Sequence, residues 1–416
     1  MINAIRGMND ILPADIPRWR FAEETARRIF VCYGFSELRP PMLERTELFT
    51  RGIGEDTDVV EKQMYTFLDK SGASLTLRPE ATASVLRAVI EHGLLGKEPI
   101  QKLFSIGPMF RYERPQKGRY RQFHQINCER LGEFGPLTDA ETLCLAYDIA
   151  SALGLGGINL AVNSLGCPVC RPSFKQALQA FLETRKATLC EDCVRRMYTN
   201  PLRVLDCKAD DCKASVRNAP VIEDYLCPHC REHYEEMLGA LTVLAVPYAR
   251  NPRLVRGLDY YTKTTFEISV AGLGSQNAIA GGGRYDGLMA TLGGPDVPGV
   301  GFAFGLERVI MLLPEIAEPS KGCFVVVLGD SAKKHALTLL TEIRRAGITA
   351  DAMLEKSFKV QMRHAGKSGY PFCAILGEDE LAKSIVTLKD LQTGEQTPVG
   401  RDRCIGKIKE LLGQGA

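Results

Sequence analysis

The sequence has little excess charge, no apolar run longer than a β-strand and no low-complexity tract. Its formal net charge is +2, so no bulk positive field exists to hold nucleic acid, and phosphate contacts must come from local clusters. The longest apolar runs, such as 324–328, are far too short to cross a bilayer. The N-terminal segment MINAIRGMNDILP has neither a basic region followed by an apolar stretch nor a cleavage site. We therefore expect a cytoplasmic protein that does not enter a membrane.

Cysteine is abundant, with fourteen residues, although the export signal that would favour disulfides is lacking. Eight of these residues form four close pairs between 167 and 230. The pairs are Cys167/Cys170, Cys190/Cys193, Cys207/Cys212 and Cys227/Cys230. Three pairs are C-x₂-C, a spacing that lets two thiolates reach one tetrahedral Zn²⁺. The eight thiols are candidate ligands for up to two structural zinc ions, whose pairing stays open. Free thiols, or disulfides formed adventitiously, are the alternatives.

Changes of composition divide the 416 residues into four segments. Helical and hairpin patterns fill residues 1–163, and a charged, cysteine-rich stretch of helical pieces at 164–245 is typical of an insertion. Strand patterns resume over 246–320, where the glycines at 281–283 predict a tight turn. Residues 321–416 alternate strand and helix, which predicts a separate small α/β domain with parallel strands. The fold class is therefore α/β in the broad sense, with α+β parts.

Residues 110–129, FRYERPQKGRYRQFHQINCE, predict a β-hairpin with a basic turn. Arg111 and Glu113 are expected on one face of its first strand, because alternate residues of a strand point the same way. A guanidinium binds phosphate through two parallel hydrogen bonds, and an aromatic ring such as that of Phe123 stacks on a base. The segment therefore indicates a nucleotide site, with a charged surface hairpin as the plain alternative.

Three short motifs, in the right order, resemble those of the class II aminoacyl-tRNA synthetases. Residues 110–129 resemble motif 2, which is Phe-Arg-x-Glu, a variable loop and an aromatic residue. Pro41, which closes ELRPP, is similar to the proline of motif 1, and GFAFGLER, which ends at Arg308, resembles motif 3. LVRGLDYYTKTTFE (254–267) and AGGGRYDGL (280–288) resemble the two segments specific to histidyl-tRNA synthetases. Because IRGMNDILP and LRPEATA also fit that family, the resemblance covers essentially the whole chain.

The resemblance implies how ATP is bound and histidine activated. The implied ATP-binding residues are Arg111, Glu113, Phe123 and Arg308. Phe123 would stack on adenine, Glu113 would accept from its exocyclic amine, and Arg308 would hold the γ-phosphate. The implied catalytic residues are Arg111, Arg256 and Gln125, and the two arginines would hold the α-phosphate and the substrate carboxylate. Mg²⁺ is expected to bridge the phosphates, as in other ATP chemistry.

The same resemblance implies how the amino acid is chosen. The implied histidine-binding residues are Glu80, Ala81, Thr82, Arg111, Gln125, Glu129, Arg256, Tyr260, Tyr261 and Tyr285. Neutral imidazole offers one N–H donor and one acceptor nitrogen, and the family pattern assigns their partners to Glu129 and Tyr261. Leaving either buried partner without its hydrogen bond would penalise other amino acids by ~10⁴-fold or more in good cases.

The resemblance also implies the fold and the division of labour. Residues 1–163, with motifs 1 and 2, and 246–320, with motif 3 and the histidine-specific segments, would form an antiparallel-sheet catalytic domain. Residues 164–245 would be an inserted cysteine-rich helical module, and 321–416 an α/β anticodon-binding domain. The basic cluster at 356–367 would contact the tRNA backbone. The implied partners are tRNA(His), L-histidine, ATP and a second copy of the chain, joined through motif 1.

The implied function is that of a histidine–tRNA ligase, an enzyme that forms histidyl-adenylate from L-histidine and ATP. The histidyl group then passes to the 3′ end of tRNA(His), and AMP and pyrophosphate are released. The alternative is the non-catalytic, histidine-binding regulatory paralogue of ATP phosphoribosyltransferase. That paralogue typically lacks the C-terminal domain and loses motif arginines, whereas this chain keeps Arg111, Arg256 and Arg308.

Overall fold

The computed structural model describes residues 2–54, 57–272, 277–316 and 322–413. Two compact units are present, Met1–Glu315 and Ile316–Ala416. The strands of the first unit are β1 (Ser36–Glu37), β2 (Leu43–Arg45), β3 (Tyr65–Leu68), β4 (Ser74–Leu77), β5 (Gln101–Phe110), β6 (Gln122–Leu131), β7 (Asn159–Ser164), β8 (Ala249–Arg250), β9 (Thr262–Ser269), β10 (Ala278–Arg284) and β11 (Gly299–Gly305). Its helices are α1 (Ile16–Cys32), α2 (Thr46–Ile53), α3 (Thr82–Glu91), α4 (Leu94–Lys97), α5 (Pro136–Ala152), α6 (Arg171–Glu183), α7 (Glu191–Thr199), α8 (Asp210–Ser215), α9 (Pro228–Val243), α10 (Leu288–Thr291) and α11 (Leu306–Ile310).

An eight-stranded sheet in the order β1-β5-β6-β11-β10-β9-β7-β8 is the centre of the first unit. All its pairings are antiparallel except β1 with β5 and β7 with β8. A small antiparallel sheet, β2-β4-β3, lies apart from it. Such a sheet, with helices packed on it, is the class II catalytic architecture that the sequence predicted.

The two faces of the large sheet have different roles, because side chains alternate along each strand. Ile126 and Cys128 of β6, like Phe266 and Ile268 of β9, are buried in a core shared with α1, α5 and α9. The residues between them, such as Asn127, line a cavity instead. Helices α1, α5 and α9 therefore cover one face. On the other face α3 and α10 pack only around Leu103 and Leu131, and the rest of that face is left for a site.

A buried ionic network ties the helix layer to the sheet. The Arg284 guanidinium and the Asp139 carboxylate, both fully buried, meet at 2.6 Å. His233 Nε2 and Thr264 Oγ1 approach the other carboxylate oxygen at 2.8 and 2.5 Å. Four elements (α5, α9, β9 and β10) are thus held by one satisfied charge pair, the condition under which a buried charge is tolerated.

Two local predictions were wrong. The glycines at 281–283 form no turn but lie inside β10, paired on both sides with β9 and β11. They are needed for close approach: a Cβ on Gly282 would lie 2.6 Å from Phe302 Cα of the adjacent strand. Furthermore, β5 ends at Phe110, so Arg111 and Glu113 lie in the loop beyond the strand rather than on its face.

The cysteine-rich insertion has a core of its own. Helices α6, α7 and α8 and the 3₁₀ turn Pro201–Asp206 enclose Phe174, Leu178, Leu182 and Met197. Buried cysteines contribute to the same cluster. The segment is therefore a small helical module rather than a loop, as the sequence predicted.

The second unit is a five-stranded sheet with helices. Its elements are β12 (Cys323–Val327), α12 (Lys333–Arg345), β13 (Ala350–Ala352), α13 (Phe358–Lys367), β14 (Phe372–Leu376), α14 (Glu378–Ala382), β15 (Ile385–Asp390), β16 (Gln396–Gly400) and α15 (Cys404–Leu411). The strand order is β13-β12-β14-β15-β16. The first three strands are parallel, but β15 and β16 are antiparallel. The all-parallel prediction was wrong because β14, β15 and β16 are joined by short connections, which favour antiparallel pairing. In the described ranges, no helix is long and apolar enough to span a bilayer.

Candidate functional site

A cavity of about 560 Å³ opens on the face of the large sheet opposite to α1, α5 and α9. The sequence-predicted residues that line it are Glu80, Thr82, Arg111, Glu113, Phe123, Gln125, Arg256, Tyr260, Tyr261, Tyr285 and Arg308. Ala81 is fully buried and Glu129 is nearly so, and neither belongs to the lining. Segments more than two hundred residues apart in the sequence thus meet around one space.

Arg111 is fixed at one side of this cavity by the backbone. Its Nε donates to the carbonyl oxygen of Pro79 at 2.8 Å, and its guanidinium lies 5.2 Å from the centroid of the Phe123 ring. Glu113 lies 4.0 Å from the same guanidinium and 3.3 Å from that of Arg119. The cation is therefore held against an aromatic face, where a planar base and a phosphate could be bound together.

Arg256 lies across strand β10. Its Nη1 donates to Glu267 Oε2 at 2.8 Å. A Cβ on Gly281 would lie 2.6 Å from Arg256 Cζ and 2.8 Å from Nη1, closer than carbon atoms approach. Gly281, the first glycine of the triplet, therefore leaves the space that this guanidinium occupies.

Arg308, the last residue of motif 3, joins two parts of the site. Its Nε donates to the carbonyl oxygen of Gly118 at 3.1 Å and its Nη1 to that of Ala278 at 2.6 Å. Gly118 has φ +73°, so it forms the turn predicted at the tip of the hairpin loop. Arg308 of motif 3 thereby joins the basic loop between β5 and β6 to strand β10.

A buried carboxylate marks the other end of the cavity. Glu129 Oε1 accepts a hydrogen bond from Thr82 Oγ1 at 2.6 Å, and its other oxygen accepts one from the Tyr285 hydroxyl. A Cβ on Gly301, directly opposite in β11, would collide with this carboxylate. Burial raises the pKa of Glu129 to about 8, although both hydroxyl hydrogen bonds lower it. A hydrogen-bond donor on a ligand would therefore stabilise the charged form of this carboxylate.

Three tyrosine rings enclose this end. The ring centroids of Tyr260 and Tyr261 are 4.6 Å apart, and those of Tyr260 and Tyr285 are 5.8 Å apart. Beside them, the two oxygens of Glu80 accept from the backbone N–H groups of Thr82 and Ala83, each at 2.8 Å. The first turn of α3 therefore fixes the orientation of the Glu80 carboxylate. The result is a small pocket that is aromatic on its walls and acidic at its base.

Two buried polar atoms at the cavity have no hydrogen-bond partner among the described residues, Gln125 Oε1 and Asn127 Nδ2. Burying such an atom without a partner costs ~1–3 kcal/mol. Both residues line the cavity on the same face of β6. An unsatisfied acceptor and an unsatisfied donor at adjacent positions indicate that a polar ligand completes the site.

Several lining residues escaped the sequence analysis. Asn127 could have been found, because it alternates with Gln125 on β6. Asp58, Arg196 and Arg203 could not, because they meet only through the fold: Asp58 accepts from both arginines at 2.8–3.0 Å. The two arginines come from the cysteine-rich module. The module therefore contributes to the wall of the cavity.

The eight paired cysteines form two separate clusters. One contains Cys167, Cys170, Cys227 and Cys230, and the other contains Cys190, Cys193, Cys207 and Cys212. Within each cluster all sulfur atoms lie within 4.8 Å of one another. All fourteen cysteines have free thiols. The pairing that the sequence left open is thus the first pair with the fourth and the second with the third.

Comparisons with known proteins agree with this geometry. A family model described as histidyl-tRNA synthetase matches residues 7–309, and one described as an anticodon binding domain matches 322–411. The chain is 51% identical to the histidine–tRNA ligase of Syntrophotalea carbinolica, over 96% of each chain. It is 52% identical to that of Nitratidesulfovibrio vulgaris strain Hildenborough, over 100% of this chain and 99% of the relative.

Among solved structures, apo histidyl-tRNA synthetase from S. aureus matches with a TM-score of 0.82 at 36% identity. The match covers 98% of this chain and 100% of that one. The regulatory-paralogue alternative is therefore not favoured, because full-length similarity to the ligases includes the anticodon-binding part. The chain belongs to the histidyl-tRNA synthetase family, within the class II aminoacyl-tRNA synthetases.

Proposed function

We propose that this chain is a histidine–tRNA ligase that makes histidyl-adenylate and then histidyl-tRNA(His), with release of pyrophosphate and AMP. One observation supports this most strongly. A single cavity is lined by Phe123, by three arginines suited to phosphate and by three tyrosines, one of which, Tyr285, donates to the Glu129 carboxylate buried behind the lining. The two halves suit the two substrates that must react with each other.

In the first step the histidine carboxylate attacks the α-phosphate of ATP. Negative charge grows on the phosphate oxygens, so fixed cations stabilise the transition state. Arg111 and Arg256 hold the α-phosphate and the carboxylate, and Arg308 holds the γ-phosphate. Phe123 stacks on adenine, whose exocyclic amine donates to Glu113. Because both arginines at the α-phosphate are already oriented by carbonyl or carboxylate oxygens, little reorganisation is required.

Histidine is selected by its imidazole ring. One ring N–H donates to the Glu129 carboxylate, and the Tyr261 hydroxyl donates to the other nitrogen. Tyr260 and Tyr285 provide the aromatic walls, and the Tyr285 hydroxyl also orients Glu129.

The α-amino group of histidine is bound at the entrance of the same pocket. Glu80 and Gln125 accept hydrogen bonds from the α-ammonium, together with the Thr82 hydroxyl. The Gln125 acceptor oxygen that lacks a partner supports this placement. Ala81 is fully buried just before α3, and its small side chain leaves room for the pocket.

No protein general base is needed in the first step, because the attacking carboxylate is already ionised. Catalysis is then mostly positioning and electrostatic stabilisation. In the second step, a phosphate oxygen of the adenylate takes the proton from the attacking tRNA hydroxyl. Gln125 is a catalytic residue in the sense that it positions the reacting amino acid.

Two kinds of metal ion complete the proposal. Mg²⁺ would accompany ATP. The carboxylates in the cavity lining that could help to hold it are Glu267, which also orients Arg256, and Glu307, which accepts from the His124 N–H. When bound, it neutralises part of the phosphate charge. The cysteine-rich module binds Zn²⁺ as a structural ion, which takes no direct part in bond making or breaking.

The tRNA is bound by both units of the chain. The loop between β5 and β6, with Arg119, Tyr120 and Arg121, contacts the acceptor end. The anticodon-binding domain uses the exposed basic face of α13, where Lys359, Arg363 and Lys367 follow Lys356. A formal net charge of only +2 makes such local clusters necessary.

The enzyme works as a cytoplasmic homodimer joined through motif 1. Large apolar side chains are exposed next to Pro41 and on the small sheet that follows: Met42 is 50% exposed, and Phe67 and Leu68 of β3 are 47% and 69% exposed. Such a patch is typical of a buried interface. Arg78 donates to the carbonyl oxygens of Pro40 and Pro108 at 2.8 and 2.9 Å, so motif 1 is tied to the strand that leads to Arg111.

We assign the domains accordingly: residues 1–163 and 246–320 to catalysis, 164–245 to the insertion and 321–416 to the anticodon. The experiment is ATP–pyrophosphate exchange with each of the twenty amino acids. Histidine alone should support strong exchange, and the Arg111→Ala variant should abolish it without dissociating the dimer. Exchange with a different amino acid would refute the proposed specificity, and near-normal exchange by Arg111→Ala would refute the phosphate assignment.

A further inference from the structure

The two cysteine clusters have the dimensions of single-metal sites. Zn–S bonds of about 2.3 Å in a tetrahedron place neighbouring sulfur atoms about 3.8 Å apart. In the first cluster Cys167 Sγ lies 3.6 Å from Cys170 Sγ and 4.0 Å from Cys227 Sγ. In the second, Cys190 Sγ lies 3.9 Å from Cys207 Sγ. These separations are far beyond the ~2.05 Å of a disulfide bond and match the edges of a ZnS₄ tetrahedron.

The surroundings of both clusters suit thiolates rather than thiols. Backbone N–H groups point at sulfur: that of Cys227 at Cys170 Sγ, 3.1 Å away, and that of Cys190 at Cys212 Sγ, 3.2 Å away. Because a Zn²⁺ ion with four thiolates has a net charge of −2, N–H groups that donate to sulfur would stabilise it.

The two clusters lie at different places in the module. The first joins the start of the module to the first turn of α9, across 60 residues of chain from Cys167 to Cys227. The second joins the first turn of α7 to the end of the 3₁₀ turn Pro201–Asp206. We call them the base site and the inner site.

The inner site holds the segments that supply the two arginines on Asp58. Arg196 is one turn after Cys193 on α7, and Arg203 lies four residues before Cys207. Arg203 Nη1 also donates to the carbonyl oxygen of Arg256 at 3.4 Å. A metal that fixes the two segments therefore also fixes the backbone of an arginine that lines the cavity.

We infer that the module binds two Zn²⁺ ions, with base and inner sites paired as above, and that the inner ion positions Arg196 and Arg203 on Asp58 beside Arg256. Asp58, Arg196 and Arg203 are thus positioning residues. The kinetic part of this inference rests on the proposed function, but the metal part does not.

Metal content of the purified full chain, measured by elemental analysis, is the first test. Two Zn per chain are expected, with four sulfur ligands at about 2.3 Å in zinc X-ray absorption. Cys230→Ser and Cys212→Ser should each remove one Zn, and Cys212→His, which keeps a ligand, should retain both. One Zn or less per chain, or iron in place of zinc, would overturn the assignment whatever the activity.

The second test measures histidine-dependent ATP–pyrophosphate exchange. Cys212→Ser should lower kcat about tenfold with KM for ATP within about twofold, because Arg256 is misplaced rather than lost. Asp58→Asn should have the same effect while both Zn ions remain, and the double variant should be no worse than either. Glu235→Gln, which removes an exposed ion pair with Arg250 away from both clusters, is the matched control.

The unmodified chain must first show histidine-dependent ATP–pyrophosphate exchange. If Cys212→Ser and Asp58→Asn then both keep full exchange activity, the positioning role of Asp58 and its two arginines is overturned. If Cys212→Ser fails to fold, Asp58→Asn decides that role alone, and the zinc content of the unmodified chain decides the sites. Absence of exchange in the unmodified chain would refute the proposed function and leave the zinc result intact.

Discussion

Gly281→Ala is the change that most sharply tests how the site is built. The added Cβ would lie 2.6 Å from Arg256 Cζ and 2.8 Å from Nη1, whereas ordinary Cβ contacts exceed about 3.4 Å. Gly281 does not have a positive φ, so alanine fits the backbone of β10. The only group that must move is the guanidinium, by about 1 Å, and its hydrogen bond to Glu267 must lengthen or break.

The size of the effect follows from the role of Arg256. Removing one preorganised donor to transition-state charge costs about 10²–10³ in kcat, and misplacing such a group by about 1 Å costs about 10². Gly281→Ala should therefore lower kcat/KM for histidine-dependent exchange by about 10²-fold. Arg256→Ala should be at least as impaired, and the double variant should not be additive, because both changes act on one interaction.

The matched control is Gly239→Ala on the exposed side of α9, where a Cβ would meet nothing within 4 Å. Alanine is also the better helix former, so this variant should be fully active and slightly more stable. Circular dichroism melts should show that Gly281→Ala keeps its fold. A folded Gly281→Ala enzyme within about threefold of normal, alongside a strongly impaired Arg256→Ala, would refute the reasoning.

Three further predictions concern charge. Because burial raises the pKa of Glu129 from 4.5 to about 8, the unfolded chain ionises this carboxylate first, so the ligand-free fold loses stability as pH rises from 4.5 to about 8 and no more above that. Ionisation also creates the imidazole acceptor, so the histidine-induced rise in Tm should grow between pH 7 and 8.5 and be flat in Glu129→Gln. Asp139→Asn removes the buried carboxylate partner of Arg284 and leaves its ion pair with Asp286, so it should cost about 3 kcal/mol in urea unfolding, the lower end for a broken buried pair; an unfolding free energy within 1 kcal/mol of normal would contradict this. Although burial raises it, the pKa of Asp139 is held below its ordinary value by His233 and Arg284, so this stability should persist above pH ~4 and disappear only as pH falls below that. Arg363→Ala should weaken tRNA binding and reduce its salt slope by about one while amino-acid activation is unchanged; an unchanged slope would place the contact elsewhere.

Much of the fold could be predicted because it depends on local patterns. The hairpin of β5 and β6 and the helical pieces of the cysteine-rich stretch follow from local periodicity, and the structure has both. The glycines of β10 were assigned to a turn because sequence cannot distinguish glycine that allows φ > 0 from glycine that makes room. Only the neighbours, Arg256 and Phe302, show the second use.

The candidate site was predictable in its members but not in its contacts. Family motifs indicated Glu129 as a site residue, yet its hydrogen bonds to Thr82 and Tyr285 span 47 and 156 residues of sequence. Likewise, cysteine spacing indicated metal ligands but left their pairing open. Nothing in the sequence associated Asp58 with the module, because ion pairs between distant segments leave no periodic pattern.

The central claim is that one cavity binds the nucleotide at its arginines and the imidazole at Glu129. The most direct measurement is a crystal structure with a non-hydrolysable sulfamoyl analogue of histidyl-adenylate. The account predicts adenine on Phe123, the sulfamoyl group between Arg111 and Arg256, and the imidazole between Glu129 and Tyr261. An analogue bound outside this cavity, or with its imidazole away from Glu129, would contradict it.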